Sequence, residues 1–300
     1  MKIVVCAYHN VGCRCLEELL RLGADVVQVF THEDSPAEKI WFDSVRQLAE
    51  TRGIPWRTTD VNLPENVELL REMAPDFILS FYYRNMIGRE VLDIPLLGAL
   101  NLHGSLLPRY RGRVPINWAV INGEKETGAT LHYMVEKPDA GDIVDQEKVP
   151  IVFTDTALDV FNKVTAAAVR IMGRSWPLLA AGTAPRIPMN LSAGNYCGGR
   201  KPADGLIDWT KSAVQIYNLV RGVTHPYPGA FSYLDGRKAI IWQAWPVEGA
   251  GEPGWIVSVN PLLVGTGEGL LEIRSLQLEG EEEISVYSFP IGNGAQFRNS

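Results

Sequence analysis

The sequence predicts an α/β protein: a Rossmann-like, mostly parallel sheet with helices on both faces, followed by a small, OB-like β-barrel. Three observations predict it. Before Gly182, short apolar runs alternate repeatedly with segments of helical period, and such alternation builds a mostly parallel sheet covered on both faces. A stretch crowded with Gly182, Pro185, Pro188, Gly194, Gly198, Gly199 and Pro202 then breaks the periodicity. Beyond it, short strand-like runs separated by turns follow one another, the pattern of a small barrel. The expected division is a first domain over 1–188, a linker over 189–204 and a second domain over 205–300.

Each element has its own justification. Residues 2–8 are an apolar run, read as the first strand. Leu16, Leu19 and Leu20 lie at helical spacing within 11–22, and Gly23 stops that helix. Residues 26–30 read as a second buried strand, 40–52 as a helix, and Gly53-Ile54-Pro55 as the turn into a third, short strand. A helix over 65–73 leads through Pro75-Asp76 into a strand over 77–80, followed by the loop Tyr82 to Ile87. The apolar run 96–102 gives another strand, and Pro115 opens a helix over 116–122 at the position proline prefers. Residues 127–135 and 143–151 are later strands, and 155–181 a long helix with Phe161, Val164, Ala168 and Ile171 on its inner face. Past the seam come a helix over 212–222 and strands over 230–234, 238–242, 254–259 and 270–278.

Composition narrows the function classes. The 300 residues are 46% hydrophobic and 21% charged, as in an ordinary globular protein. A net charge of −7 and an isoelectric point near 5.4 argue against a general nucleic-acid or anionic-membrane surface. The region past the seam is acidic, and its Glu281-Glu282-Glu283 run reads as a solvated turn. No apolar run approaches the roughly 18 residues of a membrane span. The apolar part of residues 1–6 is too short for a signal peptide. Cys6, Cys13, Cys15 and Cys197 show no Cys-x-x-Cys pair and no zinc spacing, so reduced thiols in a cytoplasmic protein are expected.

The chemistry concentrates at Asn101 and His103. Residues i and i+2 of a strand share a face, so these two project together while Leu100 and Leu102 face the opposite layer. An imidazole for proton transfer and an amide donor for an oxyanion, followed by a cationic loop, fit an acyl-transfer site. A core histidine and asparagine satisfied by neighbouring backbone is the other reading. Position favours function, because ligands of such sheets bind beyond the carboxyl ends of the strands. Asp139 lies in the turn sequence Lys137-Pro138-Asp139-Ala140-Gly141. If it meets His103 it fixes the tautomer and raises the basicity of the ring.

Arg111 and Arg113 flank Gly112 in the next loop, where a guanidinium fork suits a carboxylate or phosphate. With Ser105, Arg200 and Lys201, Arg111 completes a set of candidate acceptor contacts argued from charge and position. Tyr82 to Ile87 offers aromatic and apolar walls for a flat heterocycle. The first strand-to-helix turn, Ala7-Tyr8-His9-Asn10-Val11-Gly12, lacks the G-x-G-x-x-G of a dinucleotide site. His9, His32, His132 and His225 share no spacing and no acidic partner nearby, which favours surface or packing roles and no metal.

Read together, Asn101-x-His103, then Ser105-Leu106-Leu107-Pro108-x-Tyr110-Arg111-Gly112, then Asp139-Ala140-Gly141-Asp142, resemble the folate-dependent formyltransferase family. The likeness continues through Asp204-Gly205-Leu206-Ile207-Asp208-Trp209 and Pro226-Tyr227-Pro228-Gly229-Ala230-Phe231, as in its two-domain members. Thr31 to Lys39, Ser80 to Arg84 and Thr130-Leu131-His132 are most similar to the formyltransferase half, not the NAD-dependent decarboxylase half, of the bifunctional enzyme acting on UDP-4-amino-4-deoxy-L-arabinose in polymyxin resistance.

The resemblance implies a Rossmann-like domain with a small barrel. It implies that Asn101 stabilises the oxyanion, His103 moves the proton and Asp139 tunes His103. It also implies a 10-formyltetrahydrofolate site at Asn85, Met86, Ile87, Arg113 and the segment Val135, Glu136, Lys137, Pro138 and Asp139, and a nucleotide-linked amino sugar as acceptor. Methionyl-tRNA as acceptor ranks lower, because the second domain and the 33–42 loop are acidic. Hydrolysis of formyl-folate and a non-catalytic folate or sugar-nucleotide binding module are the remaining readings.

Overall fold

Apolar runs without alternation become strands buried on both faces, and they order the first part of the molecule. The computed structural model describes residues 1–35, 40–286 and 295–299. The 36–39 part of the Thr31 to Lys39 motif therefore lies outside the described residues. Contacts divide the chain into two units. The first holds Met1–Pro115, Glu126–Pro150 and Asn162–Gly198, and the second Ile116–Lys125, Ile151–Phe161 and Gly199–Ser300.

In the first unit the elements run β1 (Lys2–Ala7), α1 (His9–Arg21), β2 (Asp25–Phe30), α2 (Val45–Thr51), β3 (Trp56–Arg57), α3 (Pro64–Met73) and β4 (Phe77–Phe81). There follow the short α4 (Arg89–Leu92), β5 (Gly98–His103) and β6 (Arg111–Gly112). After α5 (Pro115–Ile121), which but for Pro115 is assigned to the second unit, come β7 (Glu126–Tyr133), β8 (Ile143–Pro150), the long α6 (Ala157–Ala180), assigned to the first unit from Asn162 onward, and β9 (Tyr196–Cys197). The main sheet has the order β3-β2-β1-β4-β5-β7-β8. Its first five strands are parallel, and β7 and β8 join antiparallel. Val4, Cys6, Phe30, Ile78 and Ala99 from the strands pack with Val67 and Leu70 of α3. The expected mostly parallel sheet is present.

Three expectations change. The helix expected over 40–52 begins only at Val45, because the Ser44 hydroxyl caps it by accepting from Gln47 N–H. The strand expected from residue 96 begins at Gly98. Leu96 is 72% exposed and its N–H is spent on the Pro75 carbonyl. The loop after residue 104 contains a strand of its own: Arg111–Gly112 pairs in parallel with Tyr196–Cys197, from the stretch read as a linker.

In the second unit, α7 (Ala213–Val223) is followed by β10 (Ala230–Leu234), β11 (Arg237–Val247), β12 (Ile256–Val259), β13 (Leu262–Gly265), β14 (Leu270–Leu278), β15 (Ile284–Ser285) and β16 (Phe297–Arg298). The sheet order is β12-β13-β14-β11-β10-β16, with β15 on β14. Hydrogen bonds from Ile256 N to Ala295 O and from Phe297 N to Gly254 O tie the β16 edge back to the β12 edge, curling the sheet toward closure. Its interior holds Ile241, Val264, Leu271, Ile273 and Leu276, with Ile216 and Val220 of α7 packed on them. The short β13 carries too few residues for its period to register in the sequence. Among the described residues, no helix is long and apolar enough to cross a membrane.

Candidate active site

The site grows out of the carboxyl end of β5. Asn101 pairs across the antiparallel ladder with His132 of β7, and His103 with Thr130. Residues directly opposite on neighbouring strands share a face, so the amide and both imidazoles come together. Asp139 enters from the turn after β7. Its φ of 50° is left-handed, a conformation aspartate tolerates better than most residues. Gly141, two residues on, leaves no room for a Cβ, which would sit 2.1 Å from the Tyr133 carbonyl oxygen.

Asp139 is the hub of the cluster. Its Oδ1 lies 3.5 Å from His103 Nδ1, 3.5 Å from His132 Nε2 and 3.4 Å from Asn101 Nδ2. Its Oδ2 accepts the Gly112 N–H at 2.9 Å. Gly112 has φ +96°, and a Cβ there would lie 2.3 Å from the Cys197 carbonyl oxygen. The β6–β9 pairing therefore aims this N–H at the carboxylate and demands glycine for it.

The tautomers follow from the acceptors. His103 Nε2 is 2.8 Å from the Tyr110 carbonyl oxygen, and a carbonyl only accepts, so Nε2 carries the proton. His132 Nδ1 stands in the same relation to the Tyr133 carbonyl at 2.8 Å. Each ring thus turns its other nitrogen toward Asp139. Burial drives His103 below its ordinary value, with His132 adding to the fall, while Asp139 and the Tyr110 carbonyl oppose it. Asp139 acts on His103 in the expected direction, but the net change is downward. Burial alone would raise Asp139; the positive charge that His103 and His132 carry when protonated and the Gly112 N–H hold it well below the usual carboxylate range.

The other expected residues fall into groups. Ser105 is fully buried, and its hydroxyl donates to the Arg109 and Tyr110 carbonyls, which is a loop-holding contact and not a surface open to an acceptor. Arg113 is exposed, and its N–H donates to Cys197 O. Arg111 sits in β6 with its Nε buried and without a hydrogen-bond partner. Met86 and Val135 are exposed apolar side chains, whereas Ile87 is buried. Arg89 Nη1 lies 3.9 Å from Glu136 Oε2, which brings the loop after β4 and the segment after β7 to one edge of the sheet. Arg200 and Lys201 belong to the second unit, where the Arg200 guanidinium stacks 4.8 Å from the Trp118 ring and donates to Asp204 O.

Sequence reasoning missed several residues. His132, expected in a packing role without an acid nearby, is 1% exposed and directly beside Asp139. Asn62 clamps the 86–88 backbone, donating to Met86 O and accepting from Gly88 N–H, each at 2.7 Å. Asp60 accepts the Asn85 amide at 3.0 Å. A strand alignment of 126–133 on 98–103 would have exposed His132; nothing local marks Asn62. His225 also has an acid, Glu283, at 2.8 Å. Among the described residues, no group of three or more His, Cys, Asp or Glu side chains is arranged to hold a metal ion.

Comparison with known proteins bears on the family and the fold. The Formyl transferase family matches residues 2–175, and the Formyl transferase, C-terminal domain family matches residues 200–294. The N-formyltransferase from Helicobacter canadensis, solved with folinic acid and dTDP-3-aminofucose, superposes with a TM-score of 0.71 at 18% identity, over 95% of this chain and 100% of that one. WlaRD, a sugar 3N-formyl transferase solved with dTDP and 5-N-formyl-THF, gives 0.72 at 18% identity, over 94% and 99%. HypX from Aquifex aeolicus, in complex with tetrahydrofolic acid, gives 0.66 at 18% identity, over 99% of this chain and 51% of that one. The chain thus spans about half the length of HypX. At these identities the structures speak to the fold, while the family matches span both parts of the sequence: the chain belongs to the formyl transferase family.

Proposed function

We propose that this chain moves a formyl group from 10-formyltetrahydrofolate to the amine of a nucleotide-linked amino sugar, with UDP-4-amino-4-deoxy-L-arabinose as the acceptor. The observation that carries the reading is the meeting of a donor amide, a neutral imidazole and an ionised carboxylate beyond β5. The amine nitrogen attacks the formyl carbon, and the carbonyl oxygen gains charge. Asn101 donates an N–H to that oxygen, an effect of about 100–1,000-fold. His103 Nδ1, the ring nitrogen not committed to backbone, takes the amine proton. The imidazolium so formed sits beside Asp139, and the pair becomes a charge-assisted hydrogen bond only in this charged state. The C–N10 bond breaks, and His103 returns the proton to the folate nitrogen, worth a further ~100–10,000-fold. The products are the formamide and tetrahydrofolate.

The folate would lie against Asn85, Met86, Ile87, Arg113 and the Val135, Glu136, Lys137, Pro138 and Asp139 segment. The exposed Met86 and Val135 side chains, and the clamped backbone between Asn62 and Gly88, support that placement. Arg111 supplies a cation for the acceptor's diphosphate. The acceptor rests on the sequence resemblance and on solved relatives that carry dTDP or a dTDP-linked amino sugar. A 4-amino-arabinose acceptor would put the reaction in lipid A modification and polymyxin resistance. The test is a panel of UDP- and dTDP-linked amino sugars incubated with 10-formyltetrahydrofolate and read by mass spectrometry. Formylated UDP-4-amino-4-deoxy-L-arabinose is expected. Formate released without an amine would replace transfer by hydrolysis, and folate binding without any product would remove catalysis.

A further inference from the structure

We infer that His132 is a positioning residue that fixes which edge of the Asn101 amide faces the reacting carbonyl. The inference rests on the formyl-transfer reading above and extends it to a side chain that reading leaves unused. An asparagine amide presents a donor edge and an acceptor edge of nearly equal shape, and only the donor edge can stabilise an oxyanion. Something must hold it the right way round.

The chain of hydrogen bonds supplies the answer. The Tyr133 carbonyl can only accept, and at 2.8 Å it fixes the proton of His132 on Nδ1. Nε2 is then a lone pair, 3.3 Å from Asn101 Nδ2. A lone pair and a carboxylate both accept from NH2 and repel a carbonyl oxygen, so His132 Nε2 and Asp139 Oδ1 together turn the Asn101 nitrogen inward, His132 from the sheet and Asp139 from the turn. With one N–H shared between these two acceptors, the second is left for the substrate. His132 is 1% exposed, so water does not compete for Nε2. The register Asn101↔His132 makes the contact a property of the sheet and not of a loop. A ring protonated on Nε2 would instead draw the amide oxygen inward and turn the donors away.

The test pairs two substitutions with different losses. Asn at 132 retains a donor near the Nδ1 position and loses the distal acceptor; Gln offers an acceptor near the Nε2 position. His132→Asn is expected to lower kcat ~100-fold with the KM for 10-formyltetrahydrofolate unchanged, as a misplaced catalytic group does. His132→Gln recovers most of that loss. Because His132 acts through Asn101, Asn101→Ala with His132→Asn should be no slower than Asn101→Ala alone, within about twofold. Multiplying effects in that cycle, or equal losses for Asn and Gln, would overturn the inference. Should His132→Asn not fold, His132→Gln decides alone: a loss as deep as that of Asn101→Ala overturns it. An activity-free readout separates this from the reaction itself. The 15N spectrum of the histidine side chains should show the His132 proton on Nδ1 and none on Nε2, and the Nε2 signal should move in Asn101→Ala. A proton on Nε2 sinks the inference even if formyl transfer is confirmed; absence of transfer with the expected tautomer sinks only the formyl-transfer reading.

Discussion

Two histidine–carboxylate pairs in this molecule differ in a way that reverses the usual reading of distance. His225 and Glu283, in the second unit, are 2.8 Å apart, yet their side chains are 52% and 37% exposed. The ring stacks on Trp242 with centroids 3.7 Å apart, and Ser275 also donates to Glu283. His103 and Asp139, in the first unit, are 3.5 Å apart at only 8% and 12% exposure. Water and salt screen the short pair, so its contribution is small. The long pair sits where a new charge has few other partners. A short contact in solvent is a surface feature, while a gap in the interior is a place prepared for a proton.

The sharpest way to break that contrast is to remove the buried ring. His103→Ala is expected to cut kcat by ~100–10,000-fold while 10-formyltetrahydrofolate still binds, measured by steady-state kinetics and calorimetric titration. Near-normal turnover would end the proposed role. Next in size is the pH dependence. Burial holds His103 below its ordinary value of 6.5, so the acid limb of kcat should have its midpoint below 6.5 and fall about tenfold per unit beneath it. Stability moves with the same sign. The unfolded imidazole takes a proton near 6.5 and the buried one only at lower pH, so stability is lost progressively as pH falls from 6.5 through the lower folded-state value. An acid limb above 7 would mean that Asp139 outweighs burial.

A smaller effect is expected at Gly112→Ala. The left-handed backbone and the crowded Cys197 carbonyl should cost roughly 1–3 kcal/mol in a thermal melt and draw the N–H away from Asp139. Smallest is Glu283→Gln, expected to shift stability by about 1 kcal/mol or less and leave kcat unchanged. A large loss of activity there would erase the distinction between the two pairs.

The same contrast explains what was legible in the sequence. Asn101 and His103 were readable because a strand places i and i+2 together, a purely local rule. Asp139 was readable as a turn whose carboxylate could meet His103, and the family motif turned that condition into an expectation. His132 was marked only as part of a family-like triplet, without a role: its neighbours come from strand β5, and only the antiparallel register supplies them. Glu283 was expected as part of a solvated turn, yet it accepts from Ser275 and pairs with His225. Tyr196 and Cys197 lay in a stretch with no periodicity, so their pairing with Arg111 and Gly112 could not be read at all. What the sequence hides, in each case, is a partner distant along the chain.

The pairing of β6 with β9 also bears on biosynthesis. A nascent chain that has emerged as far as residue 188 already carries Asn101, His103, His132 and Asp139. It does not yet carry Tyr196–Cys197, the strand against which Arg111–Gly112 aligns its backbone donor. The order of synthesis therefore delivers the reactive groups first and their brace last. A fragment cut at 188 would hold the full set of proposed reacting side chains on a support it had never received.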